Sequence, residues 1–271
     1  MKSLNQYIKE KLIINKDYHD AMIVVKSFDE LRKIIEDRYK TLGAGTEQKP
    51  IDFNDIDVSN IDSFCDKNVG LFSGTEFKHI NISYWNVSNV TDMSRMFCGC
   101  ESLKSVGDIS NWDVSSVENT SNMFYDCKKL KSVVDISKWD VSSVTNMSFM
   151  FCDCNNFNQN LSNWDVSSVT DMSYMFYMCE ELESVGDISN WNVSNVTDMS
   201  GMFFNCKVLK SVGDLSKWDV SKVESMKSMF AHCKTITSVG DLSNWNISNL
   251  KYTSYMFHNS GIKNTPSWYK V

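Results

Sequence analysis

The sequence has little of what breaks or loosens a chain. Its 271 residues include two prolines, Pro50 and Pro266, and 11 glycines. That excludes a collagen-like, proline-rich or linker-dominated chain. Long apolar runs are missing as well. The longest, Ala21 to Val25, has five residues, whereas a membrane-spanning helix needs roughly 20, so membrane insertion is not expected. The opening MKSLNQYIKEKL lacks the apolar core of an export signal, and the expected location is cytoplasmic. There is no basic excess: 27 Lys and Arg face 34 Asp and Glu, a net charge of −7. That is the wrong sign for neutralising nucleic-acid phosphates. Histidine is scarce, and His19, His79, His232 and His258 share no metal or triad spacing. With no glycine-rich phosphate loop either, no enzyme, cofactor or metal site is expected. What remains, 42% hydrophobic and 23% charged residues, is a globular composition.

Against these absences stands a repeat. Trp85, Trp112, Trp139, Trp164, Trp191, Trp218, Trp245 and Trp268 are separated by steps of 27, 27, 25, 27, 27, 27 and 23 residues. A period of this size marks a solenoid or array. Counted from each Trp, Ser stands at −2 in the first seven units, Val or Ile at +2 and Ser at +3. Val or Leu follows at +5, Met or Thr at +8, Met at +11 and Phe at +12. Cys takes +15 in six units (Cys100, Cys127, Cys154, Cys179, Cys206 and Cys233), and Ser260 takes it in the seventh.

At 100° per residue the +5, +8, +11, +12 and +15 positions share one arc. The spacing therefore predicts a short helix in each unit, with its apolar stripe turned inward. The expected core includes Trp112, Trp139, Trp164, Trp191 and Trp218, the Met172, Met175 and Phe176 stripe, and Cys127, Cys154, Cys179 and Cys206. Upstream of Trp, LKSVGDIS reads as a short parallel strand with a bulge at Gly107, Gly186, Gly213 and Gly240. The 25-residue step lies where NNFNQNLSNW replaces that segment. The fold class expected is an α/β solenoid over residues 51–271: a right-handed, leucine-rich-repeat-like stack of about seven coils, each a short strand plus a short helix.

The segment WDVSSVTDMSYMF, followed by Cys179 and Leu182, resembles the repeat of the BspA-like bacterial leucine-rich-repeat family. The likeness covers about residues 51–271. It implies a solenoid used for protein–protein contact, often at a cell surface, with no catalytic residues to carry over.

Residues 1–50 lie outside the repeat. Leu4, Tyr7, Ile8 and Leu12 make a helical stripe, and Ala21 to Val25 a strand. Ser27 to Glu30 is a capping box opening a helix with Leu31, Ile34, Ile35 and Tyr39 on one side and Gly43 as its C-cap. This segment reads as an N-terminal cap, with a docking module as the alternative. Residues 51–80 form a degraded first coil with Ile56 in the Trp place, and 258–271 a closing coil with Trp268.

Two rows invite sharper chemistry. Nine cysteines include the pairs Cys98-Gly-Cys100 and Cys152-Asp-Cys154, but they lack the usual zinc spacing. The expected state is reduced thiols filling the helix–strand seam, consistent with a reducing compartment. Asp and Asn interchange at −4 (Asn81, Asp108, Asp135, Asn160, Asp187, Asp214, Asp241) and at +1 (Asn86 to Asn246). Side-chain capping of backbone N–H groups explains that interchange. A calcium ladder, a phosphate mimic and a carboxylate catalytic pair compete with it, and the Asn members weaken all three.

The binding face is sought where the units differ. On the helical reading +10 falls at about 140°, opposite the stripe. That row holds Arg95, Asn122, Phe149, Tyr174, Gly201, Ser228 and Tyr255, and the +13 row includes Tyr125, Tyr177 and Phe204. Phe149, Tyr174, Tyr177 and Phe204, with Arg95, are the expected partner-binding patch; the competing expectation is that these rings only pad the next coil. The function expected is a non-enzymatic scaffold for a protein partner. The alternatives are a spacer docked through residues 1–50, or a surface adhesin exported without a recognisable signal.

Overall fold

A computed structural model describes residues 22–130 and 135–270. The Leu4, Tyr7, Ile8 and Leu12 stripe, His19 and Ala21 lie outside the described residues. Strand β1 (Ile23–Val24) leads into helix α1 (Phe28–Leu42). Ser27 opens the helix by accepting the Glu30 N–H, and Glu30 reaches back to the Lys26 N–H at 2.9 Å, so two otherwise unpaired donors are satisfied. Gly43, at φ 76°, closes it, with its N–H on the Tyr39 carbonyl. Leu31 and Ile35 are buried against the first coil.

Four short strands form the start of the stack: β2 (Ile51–Asp52), β3 (Ile56–Asp57), β4 (Cys65–Asp66) and β5 (Val69–Gly70). The next coil contributes β6 (Ile80–Asn81). β1 pairs in parallel with β3, and β2 with β6 in the register Ile51 to Ile80. That register sets Ile56 opposite Trp85, so residues from 51 onward follow the repeat without its tryptophan. β4 and β5 are an antiparallel hairpin inserted in this coil, turning at Lys67 and Asn68, both at positive φ.

The predicted helix in each unit is absent. Beyond α1, the described residues hold only one 3₁₀ turn, Leu215–Lys217. The reason lies in the backbone at two positions. Every +10 residue from Arg95 to Tyr255, and every +14 residue from Gly99 to Asn259, has φ between 53° and 73°. A right-handed helix cannot carry left-handed residues every fourth place. Each unit instead runs as overlapping turns. The +11 N–H bonds the +8 carbonyl, +13 bonds +10, and +15 bonds +12; in one unit these are Met175 to Met172, Tyr177 to Tyr174, and Cys179 to Phe176. A left-handed third residue is what a type II turn requires.

The same run ties coil to coil. N–H groups at +8, +10, +12 and +14 donate to the +7, +9, +11 and +13 carbonyls of the next coil. Met172, Tyr174, Phe176 and Met178 donate in this way to Asp198, Ser200, Met202 and Phe204, at 2.8–3.0 Å. Parallel bridges at +7 run from Ser63 and Asp92 through to Tyr252. Upstream of Trp, bridges such as Ser184 to Ser211 are isolated, so the expected strand is reduced to single pairings. The glycines there mark no strand bulge. Gly107, Gly186, Gly213 and Gly240 sit at φ 84–90°, where an added Cβ would fall 1.8–2.4 Å from an Asn or Asp oxygen of the preceding coil.

The core is a set of columns. Phe72, Phe97, Phe124, Phe151, Phe176, Phe203, Phe230 and Phe257 stack at 5.3–6.1 Å, within 15° of parallel. Each tryptophan indole N–H donates to the −3 carbonyl one coil back, as Trp139 does to Ile109 at 3.0 Å and Trp191 to Leu161 at 3.1 Å. Met172, Met175 and the other methionines at +8 and +11 are fully buried. No described helix is long and apolar enough to cross a membrane.

Candidate functional site

The two left-handed positions shape the outer face of the turn run. They push +10, +13 and +14 side chains outward while +8, +11, +12 and +15 fill the core. Phe149, Tyr174, Tyr177 and Phe204 all lie on this face and all are half-buried. Turn geometry, not a helical arc, sets the direction of these side chains.

These four rings touch. Phe149 stacks on Tyr174 at 4.6 Å and 16°, and Tyr177 stacks on Phe204 at 4.7 Å and 11°. Tyr174 and Tyr177 meet edge to face at 5.5 Å. The far face of Tyr174 lies over Gly201, where a Cβ would come within 2.6 Å of the ring. The rings thus spend their faces on one another and present edges and phenol groups outward. Such pairs are worth about 1 kcal/mol each beyond area burial.

The ribbon extends further than the sequence reading reached. Tyr125 joins Phe149 at 6.3 Å, and Phe204 is followed by His232, His258 and Tyr255 at 5.3–5.6 Å steps. His232 occupies +14, a row rich in Gly, Asn and Asp: Gly99, Asp126, Asp153, Asn205, Asn259. That composition signals positive φ and was the available clue to a second outward position. Arg95 is on the same face but makes no ring contact with the ribbon among the described residues. Burial raises the Cys98 pKa, and Arg95 opposes that rise. Beside Tyr125, Lys128 bridges Asp126 at 2.8 Å and Asp153 at 3.7 Å. Burial and the neighbouring Asp126 raise the pKa of Asp153.

The thiols are not seam filling between helix and strand. Each +15 Cys donates to the +12 Phe carbonyl one coil back: Cys127 to Phe97 at 3.2 Å, Cys154 to Phe124 at 2.9 Å, Cys206 to Phe176 at 3.1 Å. All nine cysteines are free, with Cys65 and Cys98 half-buried and the rest buried. Among the described residues no group of three or more His, Cys, Asp or Glu is arranged to hold a metal.

The Asp and Asn rows cap backbone. Asp108 accepts the Ser110 N–H at 3.0 Å, Asp113 that of Ser115 at 3.2 Å, and Asn192 that of Ser194 at 3.2 Å. A third row at +7 does the same, Asp171 to Ser173 at 2.8 Å and Asn146 to Ser148 at 2.9 Å. These bonds hold the Asp108 and Asp113 carboxyls below the usual carboxylate range.

The family model described as "Mycoplasma protein of unknown function, DUF285" matches residues 43–135, 66–185, 108–207 and 178–268. No curated protein matches the chain. Among solved structures it is similar to a leucine-rich repeat protein from Eubacterium ventriosum, at 14% identity and TM-score 0.39, covering 79% of this chain and 78% of that one. It is also similar to a T. pallidum leucine-rich repeat protein, at 16% identity and TM-score 0.41, covering 72% and 76%. A leucine-rich repeat protein from Bacteroides ovatus matches at 21% identity and TM-score 0.37, covering 70% of this chain and 49% of that one.

Proposed function

We propose that this chain, which belongs to the DUF285 family of Mycoplasma proteins, is a non-enzymatic repeat scaffold that holds a protein partner along its aromatic ribbon. The observation that carries this reading is the unbroken ring contact from Tyr125 through Phe149, Tyr174, Tyr177 and Phe204 on an outer face. Half-exposed aromatic clusters are the usual anchors of interfaces. The winding we assign is right-handed and of the leucine-rich-repeat kind, in about seven full coils, on the strength of the seven near-copies in the sequence. Thiols engaged by carbonyls suit a reducing compartment; a surface adhesin is the competing location. The spacer reading draws support from exposed Ile23, Val24 and Leu42 at the α1 end.

The test is a photo-crosslinking residue placed at Tyr177 in the full chain, in cell extract. A discrete protein adduct, lost when Phe149 and Tyr174 are both replaced by Ser, supports the ribbon. No adduct, or the same adduct from a probe at exposed Tyr84, overturns it.

A further inference from the structure

The hydrogen bonds between coils share one direction along the turn run, and this makes the two ends of the stack chemically different. At +8, +10, +12 and +14 every N–H points toward the following coil, and the +7, +9, +11 and +13 carbonyls point back. The first coil therefore shows bare carbonyls, and the last described run shows bare amides.

The carbonyl end is closed at two of its four places. Phe72 and Gly74 donate to Met96 and Cys98, so Leu71 and Ser73 hold the +11 and +13 places. With no coil before them among the described residues, their carbonyls accept from Arg32 of α1, at 3.1 and 3.4 Å, and Gly70 accepts from the same guanidinium. A cation sits where partial negative charge accumulates, as at the C-terminus of a helix.

The amide end is not closed. Thr253, Tyr255, Phe257 and Asn259 are the +8, +10, +12 and +14 residues of the last run. Their N–H groups have no partner among the described residues. The chain beyond Ser260 closes the tryptophan column, where Trp268 stacks on Trp245 and donates to Leu242, and meets the run at one place, where Tyr269 stands edge-on over Phe257. Between these segments lies a depression lined by Tyr255, Phe257, His258, Tyr269 and Lys270, with no acidic side chain. Tyr252 and Tyr255 beside it are each 60% exposed, more than any ring of the inner coils on this face.

An unpaired row of amides is a template for another chain, and main-chain pairing with an added strand is a common docking mode. We infer that this edge docks an extended segment of a partner protein, whose alternate carbonyls take the four amides while an apolar side chain enters the depression between Tyr255 and Tyr269. A second copy does not fit. Tail to tail, amides would face amides; head to tail, Arg32 already holds two of the four acceptors, the carbonyls of Leu71 and Ser73. Lys270, with no acidic side chain beside it in the lining, favours a segment with an acidic residue next to the apolar one. This site is separate from the aromatic ribbon and stands whether or not the ribbon binds.

The probe is a capped synthetic peptide of residues 196–205, VTDMSGMFFN. In the folded chain its Asp198, Ser200, Met202 and Phe204 carbonyls accept the equivalent four amides. It is titrated into the isotope-labelled full chain and followed by amide hydrogen exchange. Fast exchange is expected at Thr253, Tyr255, Phe257 and Asn259 in the free chain, slowing about tenfold or more with peptide. Tyr269→Ser should weaken that protection while leaving the ribbon test unchanged. The inference is overturned by slow exchange at these amides in the free chain, meaning the edge is already covered. Exchange indifferent to millimolar peptide, or concentration-dependent self-association that protects the same amides, also overturns it.

Discussion

The thiol of Cys179 donates to the carbonyl oxygen of Phe151, one coil back, at 3.0 Å. That oxygen also accepts the Cys154 N–H at 3.1 Å, so a single carbonyl closes one turn and anchors the next coil. Cys179→Ala leaves the second lone pair unfilled in a dry interior. The expected loss is about 1–3 kcal/mol, read as a lower urea midpoint at unchanged slope. An unshifted midpoint would mean that the thiol bond adds nothing.

Burial separates the cysteines by reactivity. In the native protein an alkylating reagent should modify Cys65 and Cys98 only, since both are half-buried and the other seven buried. Cys98 should react more slowly than an ordinary thiol, because burial raises its pKa against the pull of Arg95. Denaturation without reductant should then expose nine labelled sites by mass spectrometry. A mass deficit from any bridge within the +15 column would contradict the S–H to carbonyl bonds.

Stability should form a plateau with two differently caused edges. Burial pushes Cys100 from 9.0 to about 11 and Cys152 to about 12. The folded state favours the neutral thiol, so this contribution is full below pH 9 and is lost as pH rises through 11. At the acid side, hydrogen bonds from the Ser two residues on lower Asp113, Asp165 and Asp219 below their ordinary 3.8. Their contribution is present above that value and is lost as pH falls through the depressed one. Melting temperature against pH tests both edges. Asp113→Asn should leave the melting temperature at pH 7 unchanged and soften the acid edge, because Asn192 and Asn246 already serve at the same place.

Met175 is fully buried in a central coil. Met175→Ala should cost about 2–5 kcal/mol. The damage should spread to amides of the coils on either side, since each coil buries its faces only against neighbours. Exchange loss confined to one coil would show weaker coupling than the stacked columns imply.

Tyr174 holds φ 57°, a conformation that costs a bulky side chain about 1 kcal/mol relative to Gly or Asn. Tyr174→Asn relieves that strain and gives up the stacking on Phe149. The net change in unfolding free energy should stay within about 1 kcal/mol, while partner capture is lost. A large fall in stability would make the ring a structural pad and not a contact surface.

The columns were legible because a repeat compares a chain with itself. Trp, Met, Phe and Cys recur at fixed offsets, and each is buried save Trp268, which is half-buried. The helix was misread because spacing alone does not distinguish one helical arc from overlapping turns; both bring +8, +11, +12 and +15 inward. The distinguishing signal was conformational, in Asn122, Gly201, Asp126, Asp153 and Asn205, residue types that tolerate positive φ. The +7 capping row went unseen because Ser225 and Tyr252 interrupt it. Arg32 could not be assigned a role from sequence, since its partners lie some 40 residues on in the first coil, where the repeat is most degraded.

The bond from each indole N–H to the −3 carbonyl one coil back asks nothing of the sequence between them beyond its length. A coil therefore supplies the socket for its successor and the plug for its predecessor in the same 27 residues. Copying such a segment within a gene adds one layer whose joints match at birth, and leaves the α1 end and the Trp268 end as they were. The +10 and +13 side chains take no part in that indole bond, so a fresh layer can acquire a new side chain there wherever the neighbouring coil leaves room, as Tyr174 does not over Gly201. Families built this way can diversify in reach and in surface separately, by duplication for the one and by point substitution for the other.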